Sequence, residues 1–97
     1  MKMNKQREGN QLMIALEGRL DTNTAVDLEK EVQDLKDIKV LIFDLEKLEY
    51  ISSAGLRILL ACQKKMNVQG TMMIKNVNDS IKEVFDITGF SNILTIA

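Results

Sequence analysis

Residues 39–45, KVLIFDL, place four apolar side chains in unbroken succession and a fifth after one aspartate. The run is too short for an ordinary helix. Its continuity is that of a strand buried in the middle of a sheet. The segment that follows narrows the choice further. Residues 53–67, SAGLRILLACQKKMN, set Leu56, Leu59, Leu60 and Met66 on one broad helical face, with Lys64 and Lys65 near the negative end. A buried strand feeding an amphipathic helix is a βα unit, and such units build parallel sheets with right-handed crossovers.

The flanking sequence continues the alternation. QLMIALEG (11–18) reads as a strand. The EGN before it is a hairpin turn with Gly9 at positive φ, and MKMNKQRE reads as a polar edge strand. Residues 22–37 step Ala25, Leu28, Val32 and Leu35 along one helical face. Thr22, Asn23 or Thr24 is placed to cap that helix, and Asp27 and Glu29 suit its positive end. TMMIKNV (71–77) is a strand after a turn at Gly70. Residues 78–88 form a helix capped by Asn78 or Asp79, with Ile81, Val84, Phe85 and Thr88 on its face and Gly89 as its stop. NILTI (92–96) reads as a last short strand. The expected fold is α/β, in the order β-β-α-β-α-β-α-β. It is a mixed, largely parallel sheet of four to five strands with packed helices, in one domain spanning 1–97.

Composition removes several kinds of function. The 97 residues carry 13 basic and 14 acidic side chains, a net charge of −1, so no basic stripe awaits nucleic acid. No polybasic cluster suits a lipid surface, and no apolar run approaches the length of a membrane span. The N-terminus lacks the apolar core of a secretory signal, and the single cysteine, Cys62, has no internal partner. Together these point to the cytoplasm. There is no histidine. That removes the commonest general base, and with one cysteine it leaves no ordinary zinc site. The remaining inventory of Ser, Thr, Lys, Asp and Glu is thin for an enzyme. No catalytic residue, metal or cofactor is expected.

The chemistry-bearing residues gather at two places. Ser52 and Ser53 stand where the central strand gives way to its helix. The carboxyl end of a parallel strand is where open α/β sheets put their sites. The helix N-terminus there stabilises an anion, including a phosphate on serine. One serine serves as an N-cap. A cap accounts for neither the second serine nor Gly55, which is unfavourable inside a helix; close packing on the sheet or access to the corner would account for the glycine. GRLD (18–21) ends the second strand, and Asp21 is either a turn residue and cap or a carboxylate facing the same corner as Ser53. Asp44, Glu46 and Glu49 read as a solvated acidic loop, and Cys62 as a buried, inert thiol.

Three blocks, EGRLD, VLIFDLEKLEYISSAGLRILL and IKEVFDITGFSNILTI, resemble in that order the signatures of STAS domains. They look most like the stand-alone bacterial anti-sigma factor antagonists. The most specific block runs from the strand and its DL, through an aromatic, to Ser-small-Gly-Leu opening a helix. The resemblance covers nearly the whole chain and is weakest over the first ten residues.

The resemblance implies a partner switch. The family's Ser-small-Gly-Leu serine, here Ser53 followed by Ala54, Gly55 and Leu56, is phosphorylated by an anti-sigma factor that is itself a serine protein kinase. The unmodified protein binds that anti-sigma factor and frees a sigma factor; the phosphorylated protein lets go, and a serine phosphatase resets it. The family's G-x-L/I-D aspartate, matched by Asp21, helps form the partner surface with Ser52, Ser53, Ala54, Gly55 and Leu56. Many phosphorylated members carry Asp just before the switch serine. That position is Ser52 here, which makes Ser52 the second candidate for modification. The alternative within the family is an unphosphorylated accessory subunit of a lipid-transport or stress-signalling assembly. An enzyme using Ser53 as nucleophile would need a Lys or carboxylate to activate it.

Overall fold

The apolar run at 39–45 becomes the first half of a twelve-residue strand, β3 (Val40–Ile51). The structure, a computed structural model, describes residues 1–97. Its elements are β1 (Lys2–Glu8), β2 (Gln11–Leu20), α1 (Thr22–Glu31), β3, α2 (Ser53–Gln69), β4 (Thr71–Lys75) and α3 (Asp79–Thr88), followed by a 3-10 turn at Phe90–Asn92. The sheet order is β1-β2-β3-β4. β1 pairs antiparallel with β2 through the Gly9 turn, whereas β2, β3 and β4 are parallel. The sheet is therefore mixed and largely parallel, as the alternation predicts.

Period-two alternation decides which side chains the sheet buries. Leu12, Ile14 and Leu16 of β2, Leu41, Phe43 and Leu45 of β3, and Met72 and Ile74 of β4 are buried in one cluster with Ala25 and Leu28, the apolar side of α2, and Ile81 and Phe85. On the opposite face Met13, Val40 and Ile42 are half-buried and Met73 is exposed. β3 is thus central in the sheet order but fully buried on one face only.

Several boundaries differ from expectation, each for a physical reason. Residues 44–51 are strand, not acidic loop. β3 slips twice against β2, taking one extra residue between Asp44 and Lys47 and another between Leu48 and Tyr50. The burial period lengthens from two to three, so Leu45, Leu48 and Ile51 all turn inward. Helix α1 ends at Glu31 rather than 37. The Val32 N–H is shared between the Leu28 and Glu29 carbonyls, and Asp37 adopts a φ of 67°. Leu35 and Ile38 stay buried on the following turn, their carbonyls accepting from the Gln69 side-chain amide at 2.7 and 2.8 Å. Residues 92–96 contribute a single parallel bridge, Ile74–Ile96, not a strand. Leu60 is only half-buried, Val84 half-buried and Thr88 exposed, its hydroxyl turned back onto the Val84 carbonyl. No helix is long and apolar enough to cross a membrane.

Candidate functional site at the carboxyl ends of two strands

β2 and β3 end level, with Leu20 beside Ile51 in register and the Ser52 N–H donating to the Leu20 carbonyl at 2.8 Å. Asp21 and Ser52 are the next residues on each strand, and each starts a helix. Pairing of neighbouring parallel strands thus brings together two loci thirty-one residues apart. The corner holds two adjacent helix N-termini, and the partial positive charge of both faces the same region.

Each N-terminus is capped by a different residue type. Asp21 caps α1: its Oδ1 accepts from the Asn23 and Thr24 N–H groups at 3.0 and 2.9 Å, and Thr24 Oγ1 accepts from the Asp21 N–H at 2.8 Å. The cap is Asp21 itself, not Thr22, Asn23 or Thr24, with Thr24 closing a capping box. The Thr24 backbone N–H, then its hydroxyl, hold the Asp21 carboxyl below its ordinary value of 3.8, and the positive charge of Arg19 adds to this. Across the sheet from Leu20 and Ile51, the Arg19 guanidinium stacks on the Tyr50 ring at 4.1 Å.

Ser52 caps α2. It is extended (φ −91°, ψ 170°), and its Oγ accepts from the Gly55 N–H at 3.2 Å. Ser53 is therefore the first helical residue. It is exposed, and its hydroxyl makes no hydrogen bond. The two serines, equivalent on paper, are separated by one step of backbone conformation.

Gly55 answers to packing. A Cβ there would lie 2.7 Å from Leu20 Cγ, 2.8 Å from Leu20 Cδ2 and 3.1 Å from Ile51 Cγ1. The missing side chain lets α2 sit directly on the ends of β2 and β3. Gly55 and Leu56 are buried, so they shape the corner from inside; Asp21, Ser52 and Ala54 are partly exposed and Ser53 is exposed.

The other chemistry-bearing residues lie elsewhere. Asp44 is half-buried and accepts from Asn76 Nδ2 at 3.1 Å, while Glu46 and Glu49 are exposed on the far half of β3. Cys62 is buried, and burial pushes its thiol up to about 11. Sequence reasoning passed over the Arg19–Tyr50 stack; the strand register that pairs them was its only signal.

This geometry has counterparts among known proteins. The STAS domain family matches residues 2–97. A protein named in Bordetella bronchiseptica as the anti-sigma factor antagonist BtrV is 35% identical over 100 residues, covering 100% of this chain and 86% of its own. The anti-sigma-B factor antagonist of Listeria monocytogenes is 30% identical over 95 residues, covering 95% and 83%. Among solved structures, the fold is similar to that of the anti-sigma factor antagonist SpoIIAA in its unphosphorylated form, with a TM-score of 0.85 at 18% identity over 99% of this chain and 88% of that one. It is also similar to the phosphorylated form of the Bacillus protein, with a TM-score of 0.78 at 18% identity over 99% and 91%. The chain belongs to the STAS domain family.

Proposed function

We propose that this protein is an anti-sigma factor antagonist that is not itself an enzyme and is switched by phosphorylation of Ser53. The observation that carries the reading is the division of roles at the start of α2. Ser52 Oγ is spent on the Gly55 N–H, whereas the Ser53 hydroxyl is exposed at the first helical position with no partner. Modification of Ser52 would alter the oxygen that caps the helix; modification of Ser53 leaves that cap in place. The two relatives named as antagonists support the class of partner, an anti-sigma factor. SpoIIAA, whose fold this chain shares, exists in unphosphorylated and phosphorylated forms.

On this reading the unmodified corner binds an anti-sigma factor that is also a serine kinase. Transfer of the γ-phosphoryl group of ATP to Ser53 Oγ, with cleavage of its bond to the bridging oxygen and release of ADP and the hydroxyl proton, adds about −1.5 to −2 charges at the interface. A dianion is costly to desolvate against a surface that does not pair it, so the complex separates without refolding. A serine phosphatase restores the binding form.

The test is to incubate the purified protein with ATP and the anti-sigma kinase encoded nearest its gene, then locate added mass by peptide fragmentation. One phosphate on Ser53 is expected, lost in Ser53→Ala and retained in Ser52→Ala. No phosphate on either serine, despite binding, would return the protein to the accessory-subunit reading.

A further inference from the structure

We propose that Arg57 is the intramolecular partner of a phosphate on Ser53; this rests on the reading of Ser53 as the modified serine. Residues 53 and 57 are both inside α2 and both exposed. At a spacing of four they lie on one helical face, with Cβ atoms roughly 5–6 Å apart. The anion stands N-terminal to the cation, which is the favourable orientation for such a pair. Arg57 is also uncommitted. The chain's ion pair joins Lys5 to Glu31, and Arg57 makes no side-chain hydrogen bond. Its five N–H donors form a planar fork that matches phosphate oxygens two at a time.

The same geometry discriminates between the two serines. Four residues after Ser52 stands Leu56, which is buried. At the same spacing Ser52 is thus paired with a buried leucine and not with a cation. Ser53 alone has both an exposed hydroxyl and a cation one turn away.

The pair has a consequence for the surface. Arg57 lies along a groove of about 380 Å³ between α1 and α2, beside Ala54, Ala61 and Val26. Glu29 on the facing wall and Lys65 farther along α2 are the other charged side chains there. Phosphorylation then changes this face twice. It adds an anion on the residue before Ala54, which lines the groove, and draws the Arg57 guanidinium off the groove wall toward it. Other charges near the corner are Asp21, which repels the phosphate, and Arg19, whose guanidinium is already stacked on Tyr50.

The experiment installs phosphoserine at position 53 genetically and follows its second ionisation by phosphorus NMR. In the otherwise natural chain the second pKa is expected to lie about 0.5 unit below that of the Arg57→Gln variant, because the cation favours the dianion. Arg57→Lys should recover part of the shift, and Arg19→Gln should leave it unchanged. Equal pKa values with and without Arg57, or a shift abolished by Arg19→Gln instead, would overturn the pairing. No kinase enters this measurement. A failed kinase assay therefore leaves the pair measurable, and a failed titration leaves Ser53 modification untouched.

Discussion

At residue 55, helix propensity and packing oppose each other. Alanine is favoured over glycine inside a helix by about 1 kcal/mol. Its Cβ, however, would enter the space of the buried Leu20 and Ile51 side chains. Overpacking of this kind costs about 1–3 kcal/mol. Gly55→Ala is therefore expected to lower the thermal midpoint, and an unchanged or raised midpoint would show that the strand ends give way. The adjacent serines separate in the same measurement. Ser52→Ala loses a cap worth about 1 kcal/mol, whereas Ser53→Ala should fall within about 0.5 kcal/mol of the parent. Asp21 adds a pH dependence of definite sign. Its folded pKa is lowered, so its contribution is fully present above the ordinary value of 3.8 and is lost as pH falls through the folded value. Against Asp21→Asn, which caps without titrating, the parent should lose stability on acidification over that window, read from denaturant midpoints. The sequence made this corner legible as residue types. It did not say which serine was the cap, because that depends on one backbone conformation at Ser52.

At the scale of elements, legibility follows the strength of the local signal. Helix α3 has an Asn at its start and a Gly at its end, and both do what their chemistry suggests. Asn78 Oδ1 accepts from the Ile81 N–H at 2.9 Å, and Gly89 takes a φ of 80°. Helix α1 has no such stop, so its early end stayed hidden. Leu35 keeps the helical spacing yet is buried from a turn, held there by the distant Gln69 amide. The long β3 was hidden by charge: DLEKLEY reads as a loop until two bulges re-aim its leucines. The C-terminal segment depends on one buried polar side chain. Gln63 Oε1 accepts from the Thr95 N–H at 3.1 Å, while Gln63 Nε2 donates to Asn67 Oδ1 at 2.9 Å. Gln63→Ala would leave the Thr95 amide without that acceptor and cost about 1–3 kcal/mol. Hydrogen exchange should then speed up at Thr95, and at Ile74, whose N–H donates to the Thr95 carbonyl. Unchanged protection at both would mean that Leu94 and the backbone bonds to Ile74 hold the tail without Gln63.

Over the whole molecule, the site is a product of topology. Neither Asp21 nor Ser53 marks the other in sequence. They come to one corner because β2 and β3 are neighbouring parallel strands that end level, each feeding a helix on the same buried cluster. The α/β class and the strand-helix-strand order were legible from hydrophobic period, and the family from three sequence blocks. The juxtaposition required the strand register, which two bulges make unpredictable from spacing. In the function proposed above, this corner binds an anti-sigma factor when Ser53 is free and releases it when Ser53 carries a phosphate. Calorimetric titration of the anti-sigma factor encoded nearest this gene, against the unmodified protein and against protein bearing phosphoserine at 53, tests that directly. Affinity at least about 100-fold weaker is expected for the phosphorylated form, a difference of about 2.7 kcal/mol. Equal affinity for the two forms would contradict it.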